Sequence, residues 1–130
     1  MNVHDCYQHG AECLYIGSAS QYKKFLFLTT SSERAPKELQ QKLERLGLEV
    51  DEKHFYTSAL STAAFLKQQC PGGSAYVIGE PGLVGALYEA GFTMNEVNPD
   101  YVVMGETHAY SFEKIERAVQ LVRAGAKLIG

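Results

Sequence analysis

Hydrophobic and polar residues follow one another in blocks that predict alternating strands and helices from Lys23 onward. Five short apolar runs have the character of strands, and they are FLFLT, HFYTS, AYVIGE, DYVVMGE and KLIG. Each of the first four is followed by a segment with apolar residues at helical spacing. This repeated alternation predicts an α/β fold, with a mostly parallel, Rossmann-like sheet between two layers of helices.

The ends of the predicted helices are marked by local signals. Pro36 and Pro81 occupy first-turn positions, Ser111 is an N-cap candidate, and glycines follow the last apolar residues. The run FLFLT is continuously apolar, which predicts a strand buried on both faces. The apolar helix positions, in chain order, are Leu39, Leu43 and Leu46, then Ala59, Ala63 and Leu66, then Leu83 and Leu87, then Ile115, Val119 and Val122.

Composition narrows the possible partners. A chain of 130 residues with 45% hydrophobic residues predicts one compact folding unit. Its formal charge is −3 and its basic residues are scattered, so neither a nucleic acid nor a membrane is expected as a partner. The apolar runs are too short to span a bilayer, and the amino-terminal stretch does not have the layout of a signal peptide. We therefore expect a cytoplasmic protein.

The first 22 residues do not share this alternation, and we expect them to form an atypical leader. Their His and Cys residues have the spacing His-x-Cys-x-x-His-x-x-x-Cys, which is no recognised zinc pattern, so no metal site is predicted there.

Hydroxyl residues follow the first strand, and the candidate phosphate contacts among them are Thr29, Thr30 and Ser31. Hydroxyls and backbone N–H groups at the carboxyl end of a parallel strand can hold a phosphate. The alternative is a polar turn whose hydroxyls bond to nearby backbone groups. The sequence pattern by itself leaves both interpretations open.

From Lys23 to Gly130 the chain resembles the NagD-type phosphatases of the haloacid dehalogenase superfamily. The matching segments are FLFLTTSSERAPKEL, FYTSALSTAAFL, AYVIGEPGL, LYEAGF, NPDYVVMGET and GAKLIG. The resemblance implies that Thr29 contacts a phosphoryl group, with Thr30 where the family usually has Asn. It also implies that residues 23–70 belong to a core domain and 71–130 to the first half of an α/β cap. Glu106, Thr107 and His108 would then form a substrate loop.

The departures from the family pattern concern catalysis. The family uses an Asp-x-Asp-Gly sequence and a carboxyl-terminal acidic motif that binds Mg²⁺, whereas the three aspartates here are Asp5, Asp51 and Asp100, far apart in sequence. We therefore predict no catalytic residue and no metal ligand, and expect a truncated phosphatase that is inactive alone. The alternative is a non-catalytic module that binds a phosphorylated small molecule.

A partial core and cap would leave apolar surface uncovered, which predicts a homo-oligomer.

Overall fold

The computed structural model describes residues 24–130, which fall into two compact units. The first holds residues 24–30 and Pro36–Thr57, and the second holds Ser31–Ala35 and Ser58–Gly130. The helix that begins at Ser58 groups with the later residues, among which its apolar face packs. The assignment of core and cap remains a prediction.

Six strands and four α-helices make up the described residues. The strands are β1 (Phe27–Thr29), β2 (Phe55–Thr57), β3 (Ser74–Ile78), β4 (Thr93–Met94), β5 (Tyr101–Met104) and β6 (Lys127–Ile129). The helices are α1 (Pro36–Arg45), α2 (Ser58–Gln69), α3 (Pro81–Glu89) and α4 (Phe112–Arg123), and a 3-10 helix spans Glu52–His54. The five predicted strands are all present, and β4 is an addition.

The described residues of the first unit form a two-stranded parallel sheet with α1 on one face. Phe27 pairs with Phe55, and Leu39 and Leu43 of α1 lie in the same apolar cluster as Phe55. The opposite face carries Leu26 and Leu28, which are 52% and 73% exposed. The prediction that FLFLT is buried on both faces is therefore wrong for the described residues, because α1 covers only one side of this sheet.

The second unit is a three-layer arrangement around a four-stranded parallel sheet of order β4-β3-β5-β6. Ala75 and Val103 face one apolar cluster that contains residues of α2 and α3, whereas Tyr76 and Val102 face another that contains Ala118 of α4. Successive residues of a strand point to opposite faces, so helices cover both sides of this sheet. The predicted α/β class with parallel strands is confirmed.

Helix α4 packs on the sheet through other residues than those that the sequence pattern suggested. Ala118 and Leu121 are buried, while Ile115 and Val119, which the periodicity singled out, are exposed. None of the helices in residues 24–130 combines the length and the apolar character needed to cross a bilayer.

Candidate functional site

The two paired strands of the first unit end side by side, β1 at Thr29 and β2 at Thr57. The strands run parallel and in register, so that Thr29 is paired with Thr57 and both residues lie at the carboxyl edge of the sheet. Thr57 is buried and Thr29 is half-buried. This edge therefore presents two adjacent hydroxyl residues, of which sequence reasoning identified only Thr29. The signal for Thr57 was the similar strand-then-hydroxyl pattern of HFYTS.

The next two predicted contacts continue the chain from Thr29. Thr30 is exposed and is the last described residue of the first unit before the chain enters the second at Ser31. The Ser31 hydroxyl accepts a hydrogen bond from the N–H of Glu33 at 3.3 Å. Such a bond is typical of a local polar turn, so part of the hydrogen-bonding capacity of Ser31 serves the turn itself.

The loop Glu106–His108 follows β5 in the second unit, and its three residues have different surroundings. The Glu106 side chain is exposed, while its backbone N–H donates to the Ser32 hydroxyl at 3.2 Å. Thr107 is buried and its hydroxyl donates to Glu80 Oε1 at 2.6 Å. The His108 side chain is 91% exposed, and its Nε2 lies 3.3 Å from Oε1 of Glu33. The side chains of Glu106 and His108 are thus exposed to solvent, whereas Thr107 is held by Glu80.

Ser32, Glu33 and Glu80 are the residues of this region that sequence reasoning did not select. Ser32 and Glu33 lie immediately after the predicted phosphate contacts, but their partners are far away in sequence. Glu80 precedes α3 as its N-cap and makes no side-chain cap bond, because its carboxylate accepts the bond from Thr107 instead. No pattern in the neighbouring sequence predicts these long-range contacts of Ser32, Glu33 and Glu80.

The two aspartates among residues 24–130 stand before strands, one in each unit. Asp51 caps the 3-10 helix before β2, and Asp100 immediately precedes β5, so both stand at the amino ends of strands. In the first unit, Asp51 therefore lies at the amino end of the parallel strands and Thr29 lies at their carboxyl end. Asp51 is therefore not placed to attack a phosphoryl group held at Thr29. Asp5 lies outside the described residues, as does the His and Cys cluster of the leader.

Magnesium is the cofactor that the family resemblance implies. Within residues 24–130, no three His, Cys, Asp or Glu side chains converge on a point where they could hold a metal ion. Mg²⁺ is normally held by one or two carboxylates together with waters and substrate phosphates. In the described part of the first unit, Asp51 stands at the end of the sheet opposite Thr29 and does not fit such a centre beside it.

Comparison with known proteins decides the family. Residues 2–93 match the family model described as haloacid dehalogenase-like hydrolase, a range that covers the hydroxyl edge and begins within the leader. The chain belongs to the haloacid dehalogenase-like hydrolases. The resemblance recognised from the six segments is thereby confirmed.

Curated relatives within this family are phosphatases. Dihydroxyacetone phosphatase from Corynebacterium glutamicum (strain R) is 44% identical over 106 residues, which is 82% of this chain and 38% of the relative. Ribonucleotide monophosphatase NagD from Escherichia coli (strain K12) is 40% identical over 104 residues, covering 80% of this chain and 41% of the relative. This haloacid dehalogenase-like chain thus spans about two fifths of the length of these relatives.

Solved structures agree with this assignment. NagD from E. coli K-12 superposes with a TM-score of 0.82 at 37% identity, covering 90% of this chain and 46% of that chain. A glycerol phosphate phosphatase from Mycobacterium tuberculosis, solved in complex with magnesium, gives a TM-score of 0.77 at 30% identity, covering 85% of this chain and 35% of that chain. The α/β architecture of the haloacid dehalogenase-like family is therefore reproduced over most of the present sequence.

Proposed function

We propose that this protein binds small phosphate monoesters and that Thr29, Thr30 and Ser31 contact the phosphoryl group. The observation that carries the proposal is the pair Thr29 and Thr57, which end adjacent parallel strands in a haloacid dehalogenase-like chain. Ligands of open α/β sheets gather at the carboxyl ends of the strands. The relatives named above act on ribonucleotides and on dihydroxyacetone or glycerol phosphate, by their names, which supports a small phosphorylated metabolite as the ligand.

The hydroxyls account for binding and not for hydrolysis. A Thr or Ser hydroxyl and a backbone N–H donate hydrogen bonds to phosphate oxygens, and such bonds to a charged acceptor are the stronger kind. Hydrolysis by a covalent route also needs a nucleophilic carboxylate and an acid for the leaving oxygen. Since Asp51 stands at the end of the sheet opposite Thr29, a NagD-type phosphatase activity would depend on a nucleophilic carboxylate from elsewhere in the protein. Asp5, the remaining aspartate, is followed by Cys-Tyr-Gln and not by x-Asp-Gly, so we propose that the 130-residue polypeptide binds phosphate esters without turning them over.

The test compares the wild type with Thr29→Val, which removes the hydroxyl and keeps the shape of the side chain. Binding of inorganic phosphate and of p-nitrophenyl phosphate is measured by calorimetric titration. Loss of one hydrogen bond to a charged group corresponds to a roughly 10- to 100-fold weaker affinity for both. Thr93→Val is the matched control, because Thr93 is an exposed strand threonine of the other unit, and it should bind like the wild type.

Two results would contradict the proposal. Equal affinities of the wild type and Thr29→Val would remove Thr29 from the phosphate site. Hydrolysis of p-nitrophenyl phosphate by purified wild type in the presence of Mg²⁺, at a rate clearly above that of Thr29→Val, would show that the polypeptide is catalytic by itself.

A further inference from the structure

Strand β6 lies at one end of the sheet of the second unit. Among the described residues, the order β4-β3-β5-β6 gives it a single neighbour, β5. The N–H of Lys127 donates to the carbonyl oxygen of Asp100 at 3.0 Å and is therefore directed toward β5. Successive residues of a strand direct their backbone groups to alternate sides, so the N–H and the carbonyl group of Leu128 are directed to the outer edge. An edge of this kind is a template for pairing with another strand.

The Leu128 side chain lies on the face of the sheet that α4 covers. Leu128 is paired with Val102 in parallel register, so the two side chains point to the same face. Val102 belongs to the apolar cluster that contains Ala118 and Leu121 of α4. Leu128 is nevertheless 56% exposed. Helix α4 thus leaves this face of the sheet open at its β6 end.

The exposed apolar side chains of α4 point toward the same end of the sheet. On one flank of the helix, Nε of Arg117 donates to the carbonyl oxygen of Glu96 at 3.0 Å, and Glu96 follows β4, the strand at the far end. Ile115 and Val119 lie about 160° around the helix from Arg117. Together with Phe112 they form an exposed apolar surface, the α4 stripe. The stripe therefore lies on the flank of α4 that is directed toward the β6 edge.

Two exposed charges of opposite sign accompany the stripe. Glu116 and Arg123 are seven residues apart on α4, about 10 Å along the helix axis, which is too far for them to pair with each other. Consider two copies of α4 that pack antiparallel about a two-fold axis between Val119 and Gln120. Glu116 of each copy then faces Arg123 of the other. The surface is thus complementary to itself in charge.

We propose that this surface binds a second copy of the chain through β6 and α4. The two β6 strands pair antiparallel at Leu128 and continue the four-stranded sheet into the second copy. The two α4 stripes pack against each other on one face of the joined sheet. A two-fold axis perpendicular to the sheet reverses strand and helix together, so a single axis serves both contacts. This inference does not depend on phosphate binding.

Charge reversal tests the pairing of Glu116 with Arg123. Glu116→Arg and Arg123→Glu each place like charges face to face twice in the dimer. We expect the dissociation constant, measured by analytical ultracentrifugation of the full chain, to rise about tenfold for each variant. The double variant E116R/R123E, and an equimolar mixture of the two single variants, restore opposite charges at both contacts. Their dissociation constants should therefore return to that of the wild type.

Glu89→Arg is the matched control for Glu116→Arg. It makes the same change of net charge at an exposed position of α3, which packs on the other face of the sheet. Its dissociation constant should equal that of the wild type. Circular dichroism of every variant checks that the helices are retained.

Amide hydrogen exchange tests the pairing of the β6 strands. It is measured on the wild type well above and well below the dissociation constant. The Leu128 amide should exchange fast in the monomer and gain protection in the dimer, because its N–H is directed to the outer edge. The Lys127 amide should be protected in both, since its bond to Asp100 lies within one chain.

Each result supports or overturns one part of the proposal. A wild type that stays monomeric at the highest concentration reached overturns it entirely. Single reversals that leave the dissociation constant unchanged, or a mixture that does not restore it, exclude the antiparallel α4 contact. Exchange of the Leu128 amide that is fast in the dimer excludes the β6 pairing. Protection of this amide that is the same at both concentrations would assign the edge to a segment of the same chain.

Discussion

At the scale of single residues, Asp100 joins the starts of three strands in the second unit. Its carboxylate accepts hydrogen bonds from the N–H and the hydroxyl of Ser74 at 2.8 and 2.9 Å. Its carbonyl oxygen accepts from the N–H of Lys127 at 3.0 Å. The bond from the Ser74 N–H, then that from the hydroxyl, holds the pKa of Asp100 below its ordinary value. The ionised carboxylate therefore stabilises the folded state.

This lowered pKa predicts a pH dependence of stability. The pKa of Asp100 is lower in the folded than in the unfolded chain, so the stabilisation is complete above the unfolded pKa of about 4 and is lost as pH falls through the folded value. Asp100→Asn keeps the shape and removes the charge. We expect its urea midpoint to lie below that of the wild type at neutral pH, with a difference that shrinks as the pH falls below about 4.

The control for Asp100→Asn is Glu89→Gln, which removes an exposed carboxylate at the end of α3. A difference between wild type and Asp100→Asn that stays constant from neutral to acid pH would contradict the role assigned to the charge. An equal pH response of Glu89→Gln would attribute the effect to net charge and not to the Ser74 bonds.

The candidate site shows which residues a sequence can reveal. Thr29, Thr30 and Ser31 were recognisable because hydroxyls interrupt an apolar run at a strand end, and the family resemblance pointed to the same position. Ser32 belongs to the same hydroxyl run, yet its bond to Glu106 joins residues 74 positions apart. This bond depends on tertiary contact and could not be predicted from the local pattern.

At the scale of helices and strands, boundaries were predictable wherever capping chemistry marks them. Ser111 precedes α4, and its hydroxyl accepts a hydrogen bond from the Lys114 N–H at 3.2 Å, as expected of an N-cap. The strand β4 was missed because Thr93 and Met94 are exposed and form no apolar run. The buried face of α4 was also misjudged, because the small residue Ala118 contributes little to a hydrophobic pattern although it lies against the sheet.

The cap of α4 can be tested directly. Ser111→Ala removes the acceptor for the Lys114 N–H and should lower the free energy of unfolding by about 1 kcal/mol. Ser111→Asp retains an acceptor and adds a charge that is favourable at a helix amino end, so it should match or exceed the wild type. Denaturant unfolding followed by circular dichroism measures both. Equal stability of Ser111→Ala and wild type would show that the cap bond contributes nothing.

At the scale of the whole molecule, apolar side chains remain exposed on each unit. In the first unit these are Leu26, Leu28 and Tyr56, on the face of the two-stranded sheet opposite α1. In the second unit, Phe112, Ile115 and Val119 form a stripe along the outer face of α4, with Phe112 80% exposed. Spacings of three and four residues bring these side chains to one face of the helix.

The α4 stripe leads to a prediction of self-association, as the sequence also suggested. Contiguous exposed apolar side chains favour contact with another chain, and a second copy is always available in a purified sample. We expect light scattering to detect a dimer or larger species at tens of micromolar. Replacing Phe112 and Val119 together by glutamate should shift the distribution toward the monomer, because each contact would then bury charge without a partner.

The control for this double variant is Tyr88→Glu, which adds charge at an exposed aromatic on α3, away from the stripe. It should associate like the wild type, so that loss of association can be assigned to the α4 surface and not to added charge. A monodisperse monomer of the wild type at the same concentration would contradict self-association altogether. Association that persists in the α4 variant and disappears in Leu28→Glu would instead assign the contact to the open face of the two-stranded sheet.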